Sequence, residues 1–148
     1  MFRYSLSVTS PFNFWFHKNE IKSFFESFET GTISGKDWRH AEHLIVALYY
    51  LSQHDFETAL EKMRGGIFNL LKSFGVDLTK EMPYHETLTV LGMRTVKEFR
   101  KSKNGFSILG KANELVETFD KDYPLRFYSR ATLFSEKARA EFVEADLN

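Results

Sequence analysis

The sequence predicts an all-α fold, a single-domain antiparallel helical bundle of about five long helices and a short C-terminal helix. Five segments repeat apolar residues at helical spacing, Gly and Pro residues separate them, and no sustained strand pattern follows Ser10. A length of 148 residues suits one domain, and no linker or internal repeat divides the chain. We therefore expect residues 1–148 to form one helical domain, with an irregular segment over residues 1–18.

The first two helices are predicted from their caps and apolar stripes. Asn19 can cap the first helix, and Gly31 stops it. Asp37 can cap a second helix that runs to about His54. The stripe of the second helix consists of Ala41, Leu44, Ile45, Leu48 and Leu51.

The third helix begins after Asp55 and continues until Gly75, which suits a left-handed cap. Its apolar positions keep helical spacing over the whole length. The pair Gly65 and Gly66 interrupts an otherwise good helix sequence. A close contact with another helix, or a bend, explains such a pair.

The remaining helices follow from similar signals. The fourth starts with Pro83 in its first turn and ends near residue 103, and the fifth covers residues 107–120. A last short helix over residues 136–144 is capped by Ser135, and Ser129 can cap a turn before it.

The composition excludes several functional classes. The chain has no cysteine, so it has no disulfide, thiolate metal site or cysteine nucleophile. Twenty basic and twenty acidic residues cancel, which argues against a nucleic-acid partner. No apolar run reaches membrane-spanning length, and no export signal begins the chain, so we expect no membrane partner and a cytoplasmic location.

Two histidines share one side of the second helix. At about 100° per residue, His40 lies within roughly 60° of the apolar stripe, and His43 lies at the edge of the stripe one turn along. Side chains three positions apart are neighbours on a helix, so this pair can contact a common ligand. Glu42 projects from nearly the opposite side, and we expect it to be a solvated carboxylate.

A second polar group lies at the start of the fourth helix. His85 falls beside the apolar stripe and is expected to point inward. Glu86 is either a ligand or a charge that favours the helix N-terminus. Tyr84 is the candidate catalytic residue, as an acid or an orienting group.

These residues predict a metal site between the second and fourth helices. Facing helices of a bundle assemble metal sites, and the candidate ligands are His40, His43, His85 and Glu86. Imidazole nitrogens with at most one carboxylate suit a divalent transition metal (zinc, iron, nickel or copper) better than magnesium or calcium. An open coordination position would activate water for hydrolysis or support redox chemistry on a small molecule.

Two other functions fit the same residues. The polar site can be a metal-free pocket for a small-molecule ligand. Alternatively, the chain is a non-catalytic interaction or structural module whose histidines fill space between helices. Homo-oligomer formation is open in each case.

Two sequence blocks carry a resemblance. Residues 38–44, with the pattern W-x-H-x-x-H-L, and residues 84–89, with the pattern Y-H-E-T-x-T, resemble the signature blocks of a family of small helical bacterial proteins. The resemblance extends to Leu147, and it implies no substrate or reaction. It places the four candidate ligands in the signature blocks. Ala145 stands before Asp146 where the family pattern has proline.

Overall fold

The protein is described from a computed structural model that covers residues 18–103 and 107–147. Within these ranges the fold is all-α and contains no β-strand, which confirms the predicted fold class. Five longer helices are followed by two short ones: α1 Lys18–Thr30, α2 His40–Gln53, α3 Phe56–Ser73, α4 Glu86–Ser102, α5 Ile108–Thr118, α6 Arg130–Leu133 and α7 Glu136–Ala140. Single 3-10 turns lie at Gly35–Asp37 and Tyr123–Arg126. The predicted irregular segment lies outside the described residues except for its last position, which begins α1.

Side-chain caps mark the starts of α3 and α5, and the first of them is the residue at which the sequence predicts the helix to start. The Asp55 carboxylate accepts the backbone N–H of Thr58 at 2.8 Å. The Ser107 hydroxyl accepts the backbone N–H of Gly110 at 3.0 Å. In both cases the side chain satisfies an N–H group that has no partner within the helix.

Glycines end α1 and the turn after α3, as the sequence predicts. Gly31 has a φ of 70° and Gly75 has a φ of 84°. Only glycine adopts this left-handed backbone without a steric penalty from a β-carbon.

Two helices begin later than the sequence predicts. α2 begins at His40, because Asp37 ends the preceding 3-10 turn and accepts the Ser34 hydroxyl at 2.9 Å instead of capping the helix. α4 begins at Glu86, because the backbone is still extended at the residue before it. Pro83 therefore precedes the helix.

The C-terminal region forms two short helices where one was expected. The Ser129 hydroxyl accepts the backbone N–H of Thr132 at 3.2 Å and caps α6. Ser135 caps α7, which ends at Ala140, before the predicted end at residue 144. The four-residue α6 thus takes the place of the turn that Ser129 was expected to cap.

The chain after α7 is attached to α4. Thr87 is fully buried, and its hydroxyl donates to the carbonyl of Glu141 at 3.0 Å and accepts the N–H of Val143 at 3.1 Å. The Tyr128 hydroxyl donates to the Val143 carbonyl at 2.6 Å. Asp146 accepts the backbone N–H and the hydroxyl of the residue that caps α6, which fixes the end of this segment.

α2 is the central helix of the core. It packs against α3, α4 and α5, and every residue from position 44 to position 48 is buried. A helix that buries nearly all its circumference must have neighbours on several sides. No helix in residues 18–103 or 107–147 is both long and apolar enough to cross a bilayer. The antiparallel order of the predicted bundle stays a prediction.

Candidate functional site

A cavity of about 450 Å³ lies between the first turns of α2 and α4. α3 and the chain after α5 complete its wall. Most of its surface is apolar, with side chains that include Leu44, Ala47, Met63, Ile67, Leu88 and Met93. Four of the five predicted site residues line this cavity: His40, His43, Tyr84 and His85. A concave, mainly apolar cavity with a few polar groups is typical of small-molecule sites.

His40 is held by the loop that follows α5. Its Nε2 lies 2.8 Å from the carbonyl oxygen of Phe119. Since a carbonyl only accepts, Nε2 carries the proton, and the lone pair lies on Nδ1. Nδ1 has no hydrogen-bond partner in the part of the protein that the structure describes. His40 therefore presents an unused acceptor at the cavity.

His43 is held by its own helix. Its Nδ1 donates to the carbonyl of Arg39 at 2.7 Å, so the lone pair lies on Nε2, which has no partner among the described residues. The ring packs on Trp38 with centroids 4.0 Å apart. Burial, with a smaller effect from the neighbouring His40, lowers the pKa of His43 to about 4, although the Arg39 carbonyl opposes the change. His43 is consequently a neutral acceptor near pH 7.

Both ring nitrogens of His85 form hydrogen bonds within the protein. It is buried at the N-cap of α4, where Nδ1 accepts the backbone N–H of Leu88 at 3.2 Å. Its Nε2 donates to the carbonyl of Leu133 at 2.6 Å. Burial and the nearby charge of Arg139 lower the pKa of His85. Both ring nitrogens are used, so His85 has no lone pair to offer a ligand.

Glu86 lies beside the cavity but does not line it. Its carboxylate accepts two hydrogen bonds from the guanidinium of Arg64, one of them from Nε at 3.0 Å, and one from the Tyr84 hydroxyl at 2.5 Å. Burial alone would raise the pKa of Glu86, but these bonds and the charge of Arg64 hold it below its usual value. The carboxylate is therefore committed to an ion pair.

Tyr84 contributes an aromatic wall. Its ring stacks on Phe68 with centroids 4.7 Å apart, and its hydroxyl donates to Glu86. Burial and the Glu86 carboxylate raise the pKa of Tyr84 to about 12. A phenol with that pKa is a poor acid near pH 7. Tyr84 is therefore better suited to orienting a ligand than to transferring a proton.

The predicted metal ligands do not come together as a set. Two of the four, His40 and His43, keep a nitrogen without a protein partner, whereas His85 and Glu86 use their ligand atoms within the fold. Residues 18–103 and 107–147 contain no cluster of three or more His, Asp or Glu side chains arranged to hold a metal ion. The donors therefore do not fit the four-ligand site, and a bound transition metal stays a prediction.

The expectation for Glu42 was wrong. Its side chain is fully buried and pairs with the Arg39 guanidinium, with Nη2 to Oε2 at 2.6 Å and Nε to Oε1 at 3.3 Å. It also accepts the backbone N–H of Arg39 at 3.2 Å. The sequence carries a signal for this role, since Glu42 is the third residue of α2. A Glu at that position often accepts the backbone N–H of the N-cap residue.

Sequence reasoning also missed the residues that reach the cavity from the chain after α5. Lys121, Tyr123 and Pro124 line it, and only tertiary packing brings them to α2. Tyr123 contacts His40 through its ring, with centroids 5.9 Å apart. No local pattern in the sequence identifies these residues.

No protein-family model, no curated protein and no solved structure matches the chain. The resemblance of its two signature blocks to a family of small helical bacterial proteins therefore stays a prediction.

Proposed function

We propose that the protein is a cytoplasmic small-molecule-binding protein whose ligand occupies the cavity between α2 and α4. The ligand is mainly apolar and carries an O–H or N–H group. One observation carries this proposal: His40 and His43 line the same cavity, and each keeps one ring nitrogen without a protein partner in the described chain. Such an acceptor stabilises a complex when the ligand supplies the donor.

The size and lining of the cavity support a ligand of this kind. About 450 Å³ falls within the range of roughly 300 to 1,000 Å³ that is common for small-molecule sites. The apolar wall supplies binding free energy through burial, and the two imidazoles orient the ligand.

Three of the four predicted site residues that line the cavity are poorly suited to act as a general base: His43, Tyr84 and His85. A general base works best when its pKa lies near the working pH. The pKa of His43, about 4, leaves it an acceptor that takes few protons near pH 7. Tyr84 and His85 likewise have their polar atoms engaged within the fold.

A metal ion is the second candidate, favoured by the same two imidazole nitrogens. Two donors are fewer than a transition metal normally takes from a protein site. Elemental analysis of protein purified without a metal-affinity tag tests this alternative. One equivalent of zinc, iron, nickel or copper per chain, lost in the His40→Ala, His43→Ala double variant, would replace the organic-ligand proposal.

The test of the organic-ligand proposal uses indole, an apolar probe with one N–H donor, and N-methylindole, which lacks the donor. Gly92 lines the cavity, and a β-carbon on it meets no atom within 4 Å, so Gly92→Leu extends into open space. We expect indole to bind the full chain, and Gly92→Leu to weaken binding by about tenfold or more. N-methylindole should bind several-fold more weakly than indole, because it leaves the imidazole acceptors unpaired.

The matched control is Gly65→Leu. Gly65 is an exposed helical glycine that does not line the cavity, and a β-carbon there also meets no atom within 4 Å. It should bind indole as the original protein does, in a ligand-observed NMR titration. Equal indole affinity in both leucine variants, or no binding to the original protein, would overturn the proposal and favour the interaction or structural module.

A further inference from the structure

We infer that the ligand of this cavity is an organic anion, a small carboxylate whose apolar body lies between α2 and α4 and which also carries an N–H or O–H donor. This inference rests on the proposed function and adds the charge of the ligand. Three observations carry it: the charges around the cavity, the position of Lys121 and the hydrogen-bonding capacity of the two histidines.

The cavity has a positive but no negative side chain in its described wall. Lys121 is the one charged residue among the described residues that line it. Three carboxylates near the cavity are paired with basic side chains: Glu42 with Arg39, Glu86 with Arg64, and Asp122 with Lys121 itself. An anion in the cavity therefore meets no uncompensated carboxylate there, whereas a cation would find no counter-charge.

Lys121 lies at the side of the cavity where the loop after α5 contacts α2. The bond between His40 Nε2 and the Phe119 carbonyl fixes this loop two residues before Lys121. The Lys121 side chain is 76% exposed, and its Nζ lies 3.2 Å from Asp122 Oδ1. Exposed pairs of this kind contribute little free energy, so a ligand carboxylate can share or replace Asp122 as the partner.

The two histidines and Lys121 favour different groups of the ligand. The unused nitrogens of His40 and His43 are acceptors, so they favour an N–H or O–H group and disfavour an ionised carboxylate. The carboxylate is therefore directed to Lys121.

The experiment compares indoleacetate with indoleacetamide, which has nearly the same shape but no charge. We expect the full-length protein to bind indoleacetate about three- to fivefold more tightly at low salt, the size expected for one exposed ion pair. Lys121→Gln should remove this preference, and Asp122→Asn should increase it. Added salt should reduce the preference, because ions screen exposed charges.

Lys101→Gln is the matched control. Lys101 forms a similarly exposed pair with Glu98 near the C-terminal end of α4, away from the cavity wall, and it should keep the original preference. If indole binding depends on Gly92 but indoleacetate binds no more tightly than the amide, the inference fails and the proposed function stands. If indole binding is unaffected by Gly92→Leu, both fail.

Discussion

Gly66 of α3 lies directly against the ring of Phe28 in α1. A β-carbon on Gly66 would come within 2.3 Å of the ring atoms Cε2 and Cζ. Phe28 is completely buried and its ring packs against Trp38 and Tyr50, so a shift of the ring would disturb other core contacts. A β-carbon on the neighbouring Gly65 would meet no atom within 4 Å. Of the two glycines, Gly66 makes the close helix contact that the sequence predicts, and Gly65 does not.

Gly66→Ala should destabilise the protein by about 1 to 3 kcal/mol, because overpacking outweighs the better helix propensity of alanine. Gly65→Ala should stabilise it by about 0.5 to 1 kcal/mol through propensity alone. Urea denaturation of the two variants measures both free energies. Similar stabilisation by both alanines would contradict the Gly66–Phe28 contact.

The ion pair between Arg64 and Glu86 should couple α3 to α4. The two side chains are 31% and 14% exposed, so solvent screens the pair only in part. A double-mutant cycle with Arg64→Ala and Glu86→Ala should give a coupling free energy of about 1 to 2 kcal/mol. The pair Lys101 and Glu98, with both side chains more than half exposed, is the control.

That control cycle should give less than about 0.5 kcal/mol. A coupling between Arg64 and Glu86 as small as the control would mean that the pair does not hold the two helices together.

Thr87 should hold the chain after α7 in place. Thr87→Val keeps the shape of the side chain but leaves the Glu141 carbonyl and the Val143 N–H without their partner. The expected loss of stability is about 1 to 3 kcal/mol. Hydrogen exchange should also quicken at the Val143 amide.

Thr118→Val is the control for this substitution. Thr118 is exposed and bonds only to the Glu114 carbonyl one turn back in α5. Its replacement should change stability by less than about 0.5 kcal/mol. If Val143 exchanges at the same rate in both variants, the Thr87 hydroxyl does not anchor this segment.

Local signals predict the helices because their causes lie within a few residues. Asp55 and Ser107 cap helices through N–H groups three positions ahead, and Gly31 and Gly75 adopt a backbone that other residues avoid. These features need no knowledge of the rest of the chain. The same reasoning places His40 on the side of α2 that lines the cavity, but it misplaces Glu42, which is fully buried.

The roles of the site residues depend on contacts that are distant in sequence. His85 caps α4 locally, but only the Leu133 carbonyl, 48 positions away, uses its second nitrogen. Glu86 pairs with Arg64 because α3 packs on α4. Helix periodicity predicts which face of a helix such residues lie on. It does not predict which hydrogen-bond partner each polar atom will have.

The depressed pKa of His43 should make stability fall in mild acid. The unfolded chain takes up a proton near the usual value of 6.5, whereas the folded chain resists it until about pH 4. Between these values the unfolded state binds more protons, so the free energy of unfolding decreases as the pH is lowered. The expected contribution is about 1 to 3 kcal/mol, because a full pKa unit is worth about 1.4 kcal/mol and solvent in the cavity reduces the effect.

His43→Gln isolates this contribution, because glutamine does not titrate. We expect urea denaturation to show a smaller loss of stability for the variant than for the original protein between about pH 7 and about pH 4.5. A residual loss should persist in the variant, since the pKa of His85 is lowered in the same direction. Parallel pH profiles for the two proteins would show that the pKa of His43 is not lowered in the folded state, which would contradict the burial of its imidazole.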